Sequence, residues 1–338
     1  MKYLFKKFWW LFTLAVLINI PLFIFGVIRT DKTVTLKGDT TIVENFVTID
    51  NPYSQKGSFS TIYVISLDHC TMLQSFIVGA SKTSEVSDLP KSYLHFSQSE
   101  LNQMGVIQHD SSINYSLIQA YKEAKKIDSK INLNYTLEYI QVDYYSAGSD
   151  FRIGDKIIKV NGFDIENNKE NFQNAMQERM VSDEIYRTKV GDKYTVLRGE
   201  NTLEITCTDP DLLAAYYFYK IDSTTAFPKF KIIPTNVGGP SGGLLQTLAL
   251  YNCLVEEDIT KGRKIAGTGT IDVNGKVGPI GGIQQKIYTA FDDDIEIFLC
   301  PKDNYEEALI AYNKLPNKKM KLYSIETFAE ALEVLKNE

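Results

Sequence analysis

Ser241 stands in the run Gly238-Gly239-Pro240-Ser241-Gly242-Gly243, between a strand-like segment and a strongly apolar helix-like one. Glycines let a backbone approach a ligand closely, and a helix start turns unpaired N–H groups toward whatever lies before it. Such a turn suits a nucleophilic hydroxyl with an oxyanion hole made by backbone amides near Gly239 to Gly242. The same six residues also read as a strand terminator followed by a helix cap. A serine nucleophile needs a base. The three histidines, His69, His95 and His109, all lie far upstream, so a Ser-His pair requires a site built between distant segments. A Ser-Lys pair can be completed locally by Lys286, in Gly278-Pro279-Ile280-Gly281-Gly282-Ile283-Gln284-Gln285-Lys286. To accept a proton near neutrality a lysine must fall from about 10.4 to roughly 7–8. That costs on the order of 4 kcal/mol and demands an apolar pocket. Ile283, Ile287 and Tyr288 bracket Lys286 and suit partial burial, although an isolated lysine ordinarily sits in solvent.

These residues need elements to hold them. Residues 215–338 interleave strand-like runs (FPKFKIIPT, KIAGTGTI, IEIFLC) with helix-like ones (SGGLLQTLALYNCLVEE, GIQQKIYTAFD, YEEALIAYNKL, IETFAEALEVLKNE), which implies an α/β or α+β sandwich. Residues 131–209 contain IGDKIIKV, the hairpin signal Asn161-Gly162, a helix-like stretch Glu170 to Met180, and the strands YTVLRG and TLEITCT joined around Gly199-Glu200-Asn201. Residues 33–130 begin with short alternating strands and SFSTIYVISL. A polar stretch from Ser81 to Asp110 follows, then a helix that Ser112 would cap, with Ile113, Leu117, Ile118 and Tyr121 on one face.

The paired segments GGPSGG and TGTIDVNGKVGPIGGIQQK, continuing to FLCPKDN, resemble the proteolytic domain of Lon proteases. That resemblance implies Ser241 as nucleophile and Lys286 as general base, with Thr268 of Ala266-Gly267-Thr268-Gly269 hydrogen-bonded to the lysine. Gly239, Pro240 and Gly242 would support the serine; Gly242 stands where alanine is more usual. IGDKIIKVNG, a helix, and VGDKYTVLRG resemble a PDZ domain, a family that commonly takes a peptide as an added strand. The segment before the expected binding strand, Asn134 to Glu138, lacks the family's glycine-containing carboxylate loop. The whole order, one amino-terminal apolar helix, a PDZ-like unit and a Lon-like unit, is similar to membrane-anchored peptidases of the SepM/YlbL type of Gram-positive bacteria. It implies limited cleavage of extracytoplasmic peptides or flexible segments, including a secreted signalling peptide, and leaves a homo-oligomer open.

Phe8 to Ile28 carry no charge and at about 1.5 Å per residue span roughly 30 Å, one bilayer core. Residues 1–7, with Lys2, Lys6 and Lys7, read as a cytoplasmic tip, and 8–28 as a transmembrane helix with its remainder outside. A cleaved signal peptide competes, but the run exceeds the usual h-region of about 7–15 residues and Arg29-Thr30-Asp31-Lys32 offers no A-x-A site. Overall the 338 residues carry Lys+Arg 36 against Asp+Glu 42, so no basic field exists to hold nucleic acid. No Walker A motif occurs, so cleavage is expected without ATP, and no cofactor is expected. Asp68-His69-Cys70 is assigned no metal, because three consecutive residues do not easily face one ion. Cys70, Cys207, Cys253 and Cys300 lie outside the membrane on this topology, where disulfides are chemically permitted, but without CxxC or zinc-finger spacing they read as buried free thiols. A second reading, from another class, is a membrane-tethered binding scaffold whose PDZ-like groove is the working surface and whose Lon-like domain is inactive.

Overall fold

The computed structural model describes residues 2–166, 180–182, 185–208, 212–235 and 237–338; the helix expected over Glu170 to Met180 falls almost wholly outside them. The chain divides into two compact units, residues 1–37 with 64–94, and residues 38–63 with 95–338.

In the first unit, helix α1 (Lys2–Val27) runs through the uncharged segment. Its stretch Lys7–Val27 is long and apolar enough to cross a membrane and none of it is buried, a description that a membrane anchor and a signal sequence both meet. The polar side chains within it satisfy themselves on the preceding turn: Thr13 Oγ1 donates to Trp9 O at 2.9 Å and Asn19 Nδ2 to Ala15 O at 2.8 Å. The start of strand β1 (Lys32–Ile42) pairs antiparallel with β4 (Glu85–Asp88), and helix α2 (Met72–Gly79) lies between them in sequence.

The second unit contains β2 (Val47–Ile49) and most of β3 (Ser58–Leu67). Its α/β part has β14 (Lys264–Gly267) parallel to both β3 and β17 (Ile297–Pro301), and β17 parallel to β18 (Lys321–Ile325). Strand β18 has no counterpart among the strands expected from sequence. Helix α5 (Ile283–Asp292) connects β14 to β17, and α6 (Tyr305–Tyr312) connects β17 to β18. Parallel strands need such crossovers and are buried on both faces; every residue of β17 is buried. Ile62, Ala266, Ile283, Ile287, Phe298 and Cys300 share one apolar core here. Helix α4 (Gly243–Leu254) and α7 (Phe328–Asn337) complete the layer, and the hairpin β15 (Thr270–Ile271) with β16 (Val277–Gly278) leads toward α5.

The β-rich part has the order β11-β10-β6-β5-β12-β9-β8, with β7 beside β6. These strands are β5 (Asn132–Tyr145), β6 (Lys156–Val160), β7 (Phe163–Asp164), β8 (Met180–Ser182), β9 (Ile185–Arg187), β10 (Lys193–Arg198), β11 (Asn201–Thr206) and β12 (Leu212–Phe227). Asn161 and Gly162 both take positive φ, 52° and 83°, which a two-residue hairpin of the observed kind requires. Asp155 is buried and paired with Arg198, whose Nε and Nη2 donate to its two oxygens at 2.8 and 2.7 Å. Strand β5 has partners on both edges: Ile140 and Gln141 face Ile157 and Lys156 of β6, and Tyr217 and Tyr216 of β12. The strand expected to accept a peptide is thus paired along most of its length by β12 on one edge and, around Ile140 to Val142, by β6 and the turn before it on the other. From β12 the chain enters β13 (Phe230–Ile232), paired with β2, and then the Gly238–Gly243 turn.

Helix α3 corrects the sequence reading of its start. It spans Gln98–Ala124, opened by a reciprocal capping box between Ser97 and Glu100, and Ser112 is a buried mid-helix residue rather than its cap. The apolar spacing expected to begin at Ile113 hid the first half, because that half is polar. The expected face is buried, and so is every residue from Ser111 to Tyr121. None of the four cysteines is disulfide-bonded; Cys70, Cys207 and Cys300 are buried and Cys253 is half-buried.

Candidate active site

Ser241, Thr268 and Lys286 come together from three segments of the second unit. Lys286 rides on the first turn and a half of α5, its amide donating to Gly282 O at 3.1 Å. The loop before it is clamped by Asn304, which accepts from Ile280 N and donates to Ile280 O, both at 2.9 Å. Lys286 is 1% exposed and its neighbours Ile283 and Ile287 are fully buried. Removal from water disfavours the charged amine and pushes its pKa down to about 7.

Lys286 Nζ lies 2.9 Å from Ser241 Oγ and 2.8 Å from Thr268 Oγ1. The Thr268 hydroxyl donates to Ser241 O at 3.0 Å. That fixes a direction. With its single proton committed to the Ser241 carbonyl, Thr268 accepts an N–H from the lysine, and the lone pair of a neutral amine is left for the Ser241 hydroxyl proton. The threonine segment is also sewn to the serine turn through its backbone, since Gly269 N donates to Ser241 O at 2.8 Å and Leu244 N to Gly269 O at 3.0 Å. Glycine at 267 lets β14 come this close to β17: a Cβ there would stand 2.3 Å from Leu299 O.

The turn itself has Gly239 at φ +87°, a conformation glycine takes without strain. Its amide donates to Gly105 O at 2.7 Å, so Gly239 is committed to the scaffold and not free for an oxyanion. Pro240 has no N–H. The amides of Ser241 and Gly242 donate to no described residue and stand at the start of α4, where a helix leaves such groups unpaired. Gly242 has ordinary helical angles; a Cβ added there would meet Gln246 Nε2 at 3.0 Å and Thr61 Cγ2 at 3.1 Å.

A set of residues that sequence reasoning missed holds this turn from below. Gly105, His109, Ser112 and Ser116 of α3 follow a spacing of four, three and four, one face of a helix. Gly105 accepts from Gly239 N, Ser112 Oγ donates to Pro240 O at 3.1 Å, and Ser116 Oγ donates to Gly243 O at 3.1 Å. Gln246 Oε1 lies within 3.2 Å of Ser112 Oγ. His109, buried, packs edge-on to Phe46 and beside the Gly239 backbone, and burial lowers its pKa. Among the described residues no histidine bonds to Ser241: His95 Nε2 reaches Tyr145 O at 3.0 Å, and His69 lies in the other unit. The available signal was the spacing of Gly105, His109, Ser112 and Ser116 along one face of a helix of mixed polarity.

Residues 227–337 match the Lon protease (S16) C-terminal proteolytic domain. A domain of this kind implies a serine peptidase. Segments of 95 and 100 residues are 34% and 38% identical to Lon proteases of Campylobacter jejuni subsp. jejuni serotype O:2 and Fervidobacterium nodosum, covering 28% and 30% of this chain. A 135-residue segment is 31% identical to a Lon protease of Desulfatibacillum aliphaticivorans, or 40% of this chain. The matched segments cover 12%, 12% and 15% of those three relatives. The α3 contacts to the serine turn lie outside the matched residues.

Proposed function

We propose that this chain is a serine endopeptidase working through Ser241 and Lys286, anchored by α1 with its catalytic part outside the cytoplasmic membrane, in the manner of SepM/YlbL-type peptidases. The observation that carries the reading is the 2.9 Å approach of Ser241 Oγ to a fully buried amine whose pKa falls to about 7. Ser241 attacks the scissile carbonyl as Lys286 takes its proton; the lysinium then protonates the leaving amine, and water releases the acyl group by the same route. The Ser241 and Gly242 amides receive the oxyanion. Gly239 and Pro240 shape the turn, and Thr268 aims the lysine. Without an ATPase motif the substrates are peptides and flexible segments, and the reaction needs neither ATP nor metal.

The pairing of β5 with β12 along one edge and with β6 around Ile140 to Val142 on the other weighs against strand addition there, and with it against the scaffold reading. The test is cleavage of a library of fluorogenic peptides by the full chain in detergent micelles. Wild type is expected to cleave equally with and without ATP, and Ser241→Ala and Lys286→Ala to lose cleavage while keeping the native circular dichroism. Undiminished cleavage by either variant, or stimulation by ATP, overturns the proposal.

A further inference from the structure

Helix α2 has no buried residue, and its Phe76 and Ile77 are 77% and 62% exposed. No charged side chain occurs from Cys70 to Ser81. An eight-residue helix is not stable alone in water, and large apolar side chains left open together mark a contact surface. The helix is nonetheless well begun, by a capping box in which Gln74 N donates to Thr71 Oγ1 at 3.2 Å and Thr71 N to Gln74 Oε1 at 2.7 Å.

Its attachment says what covers it. Met72 N donates to Ile28 O at 3.1 Å, Thr30 N and Oγ1 donate to Cys70 O at 2.9 and 2.7 Å, and Arg29 Nη1 donates to His69 O at 3.1 Å. Leu73 Cδ2 comes within 3.9 Å of where a Cβ on Gly26 would stand. Helix α2 therefore begins at the level where the apolar run of α1 ends, and that last turn is itself open, with Phe25, Val27 and Ile28 exposed. One apolar surface continues from α1 onto α2. Surface helices usually carry a charged face as well; α2 has none, so what seats it at a bilayer boundary is its open apolar side chains alone.

Resting on the reading of α1 as an anchor, we infer that α2 is a second membrane element, lying in the outer interface with Phe76 and Ile77 among lipid acyl chains. It would hold residues 64–94 on the bilayer surface.

The chain has two tryptophans, Trp9 and Trp10, which makes a direct test possible. The full chain carrying Trp9→Phe, Trp10→Phe and Phe76→Trp is reconstituted in vesicles of phosphatidylcholine and phosphatidylglycerol brominated high on the acyl chains; a companion with Trp10→Phe alone keeps Trp9 as the reporter on α1. Loss of most emission at both positions is the expected result. Quenching at Trp9 with none at position 76 overturns the α2 inference and leaves the anchor standing. Position 76 shielded from aqueous iodide yet not quenched by bromine means that protein, such as a second copy of this chain, covers the helix, and overturns it too. No quenching at either position removes the anchor reading and this inference together.

Discussion

In the proposed mechanism Lys286 carries the chemistry, and the burial that suits it to that role also carries a stability cost. Burial holds its folded pKa near 7 against about 10.4 when unfolded. The unfolded chain therefore binds more protons between those values, so the cost of burial is complete below pH 7 and relieved as pH rises toward 10.4. At 1.36 kcal/mol per unit the cost below pH 7 is roughly 5 kcal/mol. Two results are expected. Wild-type kcat/KM should rise with pH through an apparent pKa near 7 and then level, because only the neutral amine accepts the serine proton. Lys286→Met should lose cleavage by at least about 10²-fold yet unfold at higher urea than wild type at pH 6, an advantage that shrinks at pH 9. A pH-independent difference in urea midpoint would show that Lys286 does not titrate in this window. Thr268 acts through the lysine: Thr268→Val removes the acceptor that orients Nζ and the donor to Ser241 O, and should lower kcat by about 10-fold or more with KM little changed.

Among elements, α3 matters more than its polar sequence suggests. Ser112 and Ser116 are buried mid-helix, where serine is an indifferent helix former, and both spend their hydroxyl protons on carbonyls of the serine turn. Each carbonyl has a second donor, Gly243 N on Pro240 O at 3.2 Å and Thr247 Oγ1 on Gly243 O at 2.7 Å, so removing either hydroxyl costs one hydrogen bond, about 0.5–1.5 kcal/mol. Ser112→Ala is expected to lower kcat by about 10-fold while KM stays within about twofold, and to slow labelling of Ser241 by a fluorophosphonate in parallel. A purely structural role would lower the melting temperature and leave the turnover of the folded fraction unchanged. On the proposed mechanism α3 supports the serine turn, although the segment matching the Lon proteolytic domain begins only at residue 227.

At the scale of the whole molecule, the first question is whether α1 stays attached. We expect protein recovered from membranes to resist carbonate extraction and to have the mass of all 338 residues, 38.3 kDa; a mature chain starting near residue 30 would make α1 a signal sequence.

The two motifs around Ser241 and Lys286, the Asn161-Gly162 turn, and the apolar segment from Phe8 to Ile28 were all legible in the amino-acid sequence, because each depends on residues near one another along the chain. Glycine spacing sets local backbone angles, and an unbroken apolar run sets membrane compatibility. Other features depended on what lay across space. Complete burial of Lys286, the direction of the Thr268 hydrogen bond, and the loss of the Gly239 amide to Gly105 required α3, β14 and α5 to meet. So did the pairing of β5 with β12, which returns from more than sixty residues downstream. The start of α3 was missed for a related reason: its polar residues answer to other tertiary contacts, Gln103 donating to Ile153 O and Gln108 to Asp143 Oδ2, and not to the hydrophobic period of the helix. Sequence alone determined which groups could react; packing decided which proton each can give up, because desolvation and hydrogen-bond direction exist only once distant segments are in contact.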